Sequence, residues 1–376
     1  MSLSRSFLRQ RKRNGSLKNK RNRIFFEPLE PRLLLSSDLT HTAAPGAALD
    51  ATLRLQKVDD VDTLQLINNA DQSILQSQAF AETSAVIITG ADQDDKLTID
   101  FSNPFSVPIT FTDASADDSD TLEAFGRENI WDITGSDKGR IRGGTVVDFE
   151  GIENLVGGSE ADTFVFWDDG RLKGLIKGGL GSDTLVGADT ANIWNITSSD
   201  SGAVNEQTFD EIENLTGGAD ADTFVFAEGI SITGIVDGSG GTNTLDYSAY
   251  TTDVTVNLET GEATGTGRMD NIQNLVGGKG ADTIIGPNLD TTWNITGTDA
   301  GDVADVIFAG FENLTGGSGA DTFVFSDGAS VTGVVDGGAG NNTLDYSAYT
   351  TDVTVDLIAG TATGTGKVAN IQNVTG

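Results

Sequence analysis

Aspartates set in glycine-rich turns are the residues of this chain best suited to chemistry. GGLGSDTLV from Gly178, GGKGADTII from Gly277 and GGSGADTFV from Gly316 fit the pattern G-G-x-G-x-D-x-U-x, where U is apolar. Four variants begin at Gly157, Gly217, Gly238 and Gly337. In these, Glu160 and Asp220 take the fourth place, Ser239 the second, and Asn243 and Asn342 the sixth. Glycine admits the left-handed backbone that can turn carbonyl oxygens inward. The sixth-place Asp adds a hard carboxylate, and the two donor types together suit Ca2+, which takes about six to eight oxygens. The candidate ligands are Asp162, Asp183, Asp222, Asp282 and Asp321.

Those side chains need elements that bring them together. The glycine turns are separated by 21 or 39 residues, read here as one and two multiples of a coil of ~20 residues. Each turn leads into a period-2 strand such as TFVF or VTVNL, and no helical stripe of apolar residues competes. Residues 178–276 and 277–375 align without a gap at a period of 99, sharing WNIT (Trp194, Trp293), ENLTGG (Glu213, Glu312) and TLDYSAYTTDVTV (Thr244, Thr343). An earlier, shorter copy holds WDIT at Trp131 and ENLVGGSEADTFVF at Glu153. The expected fold is all-β: a right-handed parallel β-solenoid in which DYSAY or WNIT segments replace the glycine turn in some coils. Copies 21 residues apart would stack at ~4.8 Å, pairing Asp162 with Asp183, Asp222 with Asn243 and Asp321 with Asn342. Asp282 has no such partner. Two stacked carboxylates repel and would gain from a cation between them. An Asp over an Asn can instead share an amide hydrogen bond with no ion, as a ladder that closes the coil. Both readings stay open, with Asp162 and Asp183, helped by Glu160, the leading calcium pair.

Composition excludes several classes. Cysteine is absent and His41 is the only histidine, so disulfide frameworks, thiolate metal sites and Cys or His catalysis have almost no material. The net charge is −33. Residues 1–32 carry +8, from ten Lys or Arg against Glu27 and Glu30, which leaves −41 on the other 344 residues. Such a field repels phosphate, so no nucleic acid is expected as a partner, and it attracts multivalent cations. No apolar run is long enough for a membrane span, and the N-terminus lacks the apolar core of an ordinary cleaved signal.

Three regions are expected. Residues 1–36 form a disordered basic arm, residues 37–130 a β-rich lead-in without a clean repeat, and residues 131–376 the repeat solenoid. In the lead-in, the Asp-rich turns at Ala91–Asp95 and Asp117–Asp120 read as degenerate forms of the later ones. Phe164, Phe166, Phe224, Phe226, Phe323, Phe325, Trp131, Trp194 and Trp293 recur at fixed places and read as core. Asp246 with Tyr247, and Asp345 with Tyr346, could be imagined as a sugar-cleaving acid and hydroxyl, but their duplication favours scaffold.

Two resemblances attach to these residues. The nonapeptides at Gly178, Gly277 and Gly316 resemble the calcium-binding repeats of repeats-in-toxin proteins. That family binds calcium between tandem nonapeptides, whereas no two are adjacent here. Leu29-Glu30-Pro31-Arg32-Leu33-Leu34-Leu35 resembles the LEPR-XLL motif found near the N-termini of very large, repetitive bacterial proteins linked to export or the cell surface. Together they imply a bacterial extracellular or cell-surface protein, exported without a cleavable signal and ordered by calcium. The expected function is a non-enzymatic, adhesin-like or structural repeat protein, with calcium and cell-surface or matrix glycans or proteins as partners. The alternative is the calcium-stabilised accessory part of a larger secreted polysaccharide lyase or protease, cut at Gly376, where a further glycine turn is due.

Overall fold

The computed structural model of the chain describes residues 36–113, 115 and 117–376. The basic arm and its Leu29–Leu35 motif lie outside the described residues, apart from Ser36. Within them the regular elements are strands, with one 3-10 turn at Phe80–Glu82. The coils stack as a parallel β-solenoid, as the repeats require.

On one side Thr163–Phe166, Thr184–Val186, Asn214–Thr216 and Ile232–Asp237 pair in parallel, so that Phe164, Leu185, Leu215 and Val236 form one inward stack. On another Thr223–Phe226, Thr244–Asp246 and Asn274–Val276 stack Phe224, Leu245 and Leu275. In the short strands among these, buried inward residues alternate with half-buried ones. Burying the same face coil after coil is what fixes the register. The recurrent aromatics are core, as expected. Trp131 stacks on Phe164 at 5.4 Å, Trp194 on Phe224 at 5.5 Å and Trp293 on Phe323 at 5.5 Å. The Tyr247 and Tyr346 hydroxyls donate to the carbonyls of Thr264 and Thr363, at 2.5 and 2.7 Å, and are scaffold.

The coils are not multiples of twenty. In the repeat region partners lie 21 residues apart where the coil is plain, as Phe164 and Leu185, and 28 to 33 apart where it carries an insertion, as Val256 and Ile284, Leu185 and Leu215, or Val236 and Met269. The insertion is a three-strand meander, and WNIT opens it rather than replacing a glycine turn. Ile193–Ser198, Ser201–Val204 and Gln207–Asp210 pair antiparallel in succession. The first of the three pairs forward with Thr223–Phe226 and the last pairs back with Leu175–Lys177. Thr292–Gly297, Ala300–Val303 and Val306–Ala309 repeat this arrangement 99 residues later. Between them, Thr255–Asn257 pairs forward with Thr283–Ile285 and Thr266–Asp270 pairs back with Ile232–Asp237, which is a meander in the other stack. One meander in each stack accounts for the period of 99.

Residue 131 marks a change in sequence regularity, not a break in the stack. Thr83–Thr89, Ile109–Thr112 and Val147–Glu150 pair in parallel, as do Asp50–Val58, Lys96–Asp100, Thr121–Phe125 and Asn154–Val156. Parallel pairing needs only backbone and alternate apolar residues, so the lead-in coils without glycine nonapeptides. Asp50–Val58 also carries the antiparallel strands Val61–Asn68 and Ile74–Ala79.

Candidate calcium-binding turns

The sixth place of every nonapeptide is buried just before a strand, and at all of them but Asp321 the side-chain Oδ1 accepts a backbone N–H from one coil back; Oδ1 of Asp321 is buried without a hydrogen-bond partner among the described residues. The backbone N–H of Asp162 donates to Oδ1 of Asp183 at 2.7 Å. Those of Asp222 and Asp321 donate to Oδ1 of Asn243 and Asn342, both at 2.9 Å. The three pairs therefore stand one coil apart. Turns 39 residues apart do not share a stack: Asp183 precedes Thr184–Val186, and Asp222 precedes Thr223–Phe226 in the other sheet.

Sequence reasoning missed the residues that continue these ladders across the longer coils. The N–H groups of Asp183 and Asp282 donate to Oε2 of Glu213 and Glu312, at 2.7 and 2.8 Å. Those of Asn243 and Asn342 donate to Oε1 of Gln273 and Gln372, at 2.8 and 2.7 Å. Asp282, which has no partner 21 residues away, has Glu312 above it 30 residues on and takes the Val254 N–H at 2.8 Å. The signal was present as an invariant Glu or Gln before Asn, thirty residues after the sixth place, in ENL, QNL and QNV.

The turns are of two kinds. In those beginning at Gly157, Gly217, Gly277 and Gly316, the second-place N–H donates to Oδ2 of the sixth-place Asp. Both oxygens of Asp162, Asp222 and Asp282 then accept backbone hydrogen bonds. In the turns beginning at Gly178, Gly238 and Gly337, φ is positive at the second and fourth places, at Gly179 and Gly181, Ser239 and Gly241, Gly338 and Gly340. Glu160 and Asp220 occupy fourth places of the first kind, where φ is not positive and a side chain is tolerated.

In the second kind an amide fits and a carboxylate does not. Asn243 Nδ2 donates to the carbonyls of Gly240 and Asn271 at 2.9 and 3.0 Å, and Asn342 Nδ2 to those of Ala339 and Asn370, both at 3.0 Å. Asp183 stands at the same place with an oxygen where Asn has its amide nitrogen. Its Oδ2 is buried with no hydrogen-bond partner among the described residues, and a methyl on Gly178 would collide with both that side chain and the Glu211 carbonyl. An oxygen facing carbonyls must be protonated or meet a cation. Burial, with the charges of Glu213 and Asp162 adding, pushes the Asp183 carboxyl up to about 6. Burial likewise raises Asp162, Asp222 and Asp321 above the ordinary carboxylate range. Among the described residues, none of the five sixth-place aspartates forms an ion pair with Lys or Arg. The donor set fits calcium best at Asp183, where an unpartnered carboxylate oxygen sits among other oxygens.

No helix among the described residues is long and apolar enough to cross a membrane. No curated protein matches the chain. Residues 229–337, less than a third of the length, match the family model Peptidase M10 serralysin C terminal, a calcium-binding repeat region of the repeats-in-toxin type. The match takes in the turns at Gly238, Gly277 and Gly316, and with them Asp282 and Asp321.

Proposed function

We propose that the chain is a non-enzymatic, calcium-ordered scaffold of a secreted or cell-surface protein, with a structural or adhesin-like role toward cell-surface or matrix glycans or proteins. The observation that carries the calcium reading is the set of buried sixth-place carboxylates, at Asp183 above all, that form no ion pair with Lys or Arg among the described residues. Burying a carboxylate is costly unless a partner or a metal compensates it. The serralysin likeness supports the same reading, and the Leu29–Leu35 motif supports export. The test is a calcium titration of the full chain from chelator, followed by circular dichroism and thermal melting. Ordering or a raised melting temperature at ~0.1 to 1 mM calcium is expected, the range of extracellular modules. An identical melt with and without calcium sinks the reading.

The matched family region is the C-terminal part of a peptidase, which favours one second reading: a calcium-stabilised accessory segment of a larger secreted protease or polysaccharide lyase. Protease and lyase assays on the protein as its source secretes it distinguish the two.

A further inference from the structure

Three buried carboxylates converge in the first coils, outside the G-G-x-G-x-D pattern. Asp95, Asp113 and Asp120 are 1%, 6% and 0% exposed, and each places an oxygen within 4.8 Å of the others. The first place of a glycine turn is Gly because a Cβ there would overlap both a backbone carbonyl of the next coil and the sixth-place side chain. Methyls on Gly157 or Gly277 would lie 2.6 and 2.7 Å from Oδ2 of Asp162 and Asp282. Gly90 obeys this rule toward Asp95. One coil on, Thr89 pairs with Thr112, so Asp113 stands where Gly90 stood. Its turn runs two residues longer before the sixth-place Asp120. The Asp113 side chain thereby enters the space beside Gly90, where a methyl would overlap Oδ2 of both Asp95 and Asp113.

The hydrogen bonds leave acceptor capacity at Asp118 and Asp120 among the described residues. Asp95 accepts from the N–H groups of Leu49 and Ala91, Asp113 Oδ1 from that of Ser115 at 2.5 Å, and Asp120 Oδ1 from that of Asp95 at 2.7 Å. Among the described residues, Oδ2 of the fully buried Asp120 has no hydrogen-bond partner, and neither oxygen of Asp118, two residues away, has one. Neither Asp95 nor Asp120 forms an ion pair with Lys or Arg among the described residues. We propose that Asp95, Asp113 and Asp120, with Asp118 beside them, bind one divalent, oxygen-seeking cation of calcium's size. Calcium holds its oxygens at about 2.3–2.6 Å, so oxygens within 4.8 Å of one another can share one such ion. Burial, reinforced by the charges of Asp113, Asp118 and Glu153, pushes the Asp120 carboxyl up to about 7, the expected behaviour of crowded carboxylates without a counterion. The site uses none of the five nonapeptide aspartates and stands apart from the function proposed for them.

The test is calcium stoichiometry by isothermal titration calorimetry on the full chain, with melting in EDTA and in calcium, for Asp113→Asn, Asp120→Asn and the comparator Asp183→Asn. Either of the first two is expected to lose one bound calcium and to shrink the calcium-induced rise in melting temperature, while melting in EDTA no lower than the parent. The Asn side chain at residue 120 can still accept the Asp95 N–H, so that variant guards against a folding defect at residue 113. Unchanged stoichiometry in both, equal losses of stability in EDTA and calcium, or a parent that binds no calcium overturns the proposal. Loss of an ion in Asp183→Asn but in neither of the others would leave the nonapeptide reading standing and remove this one.

Discussion

Asp183 occupies a slot whose counterparts, Asn243 and Asn342, donate two amide hydrogen bonds to carbonyls. Its Oδ2 meets the same surroundings with nothing to donate. Asp183→Asn keeps the acceptor for the Asp162 N–H and gains those two donations. In chelator at about pH 7.5 the variant is expected to be more stable by about 1–2 kcal/mol, the worth of one or two net hydrogen bonds. With calcium present, a bound ion at Asp183 would reverse the sign. Melting curves of both proteins in both conditions check this, and a variant less stable in chelator would refute the slot assignment.

The raised carboxyls set a pH dependence. A folded-state pKa of about 6 at Asp183 and about 7 at Asp120 lies above the unfolded value of about 3.9, so the folded chain holds more protons in that window. Their protonated forms are compatible with the fold below the window, and stability is lost as pH rises through it. In chelator the melting temperature should therefore fall by several degrees from about pH 5 to about pH 8, a slope that calcium should flatten. Self-repulsion of the acidic body acts in the same direction. A melting temperature that rises over this interval would contradict the burial of these groups.

Glycines of two kinds should respond differently to alanine. At Gly277 an added methyl would meet Asp282 Oδ2 at 2.7 Å and collide with the Gly310 carbonyl, so Gly277→Ala is expected to cost about 2–3 kcal/mol. At Gly328 the φ is +74° and no atom of the described residues lies within 4 Å of the methyl position, so Gly328→Ala should cost only about 1 kcal/mol of backbone strain. Chemical denaturation of the two variants measures the difference.

The glycine turns and their inward strands were legible because both constraints are written in residue type: Gly where a Cβ collides, Asp or Asn where a neighbour's N–H must be met, and Leu, Phe or Val facing inward. The meanders were not. Trp194 and Trp293 announce a recurring feature, but nothing in WNIT says that its strand pairs forward while Gln207–Asp210 pairs back. The spacing of 39 was misread for this reason, since it joins turns of different stacks. The lead-in hid its coils because Asp113 stands where the first glycine would have marked the turn. Asp95 and Asp120 were seen as parts of degenerate turns, but only the register of Thr89 with Thr112 brings Asp113 to them.

Glu213 separates the two roles of a ladder carboxylate, hydrogen-bond acceptor and charge. Its Oε2 takes the Asp183 N–H at 2.7 Å, and its charge raises the Asp183 carboxyl. The equivalent residue is Gln273 in the ladder through Asn243, where an amide oxygen does the same work at 2.8 Å. Glu213→Gln should therefore keep the hydrogen bond, lower the Asp183 pKa and leave stability in chelator unchanged or slightly higher. Glu213→Leu removes the acceptor as well and leaves the Asp183 N–H unpaired at the turn, at a cost of about 1–3 kcal/mol. The order of stability expected in chelator is Gln at or above Glu, with Leu lowest. A Glu213→Gln variant as unstable as Glu213→Leu would mean that the negative charge, and not the acceptor, holds the coil in place.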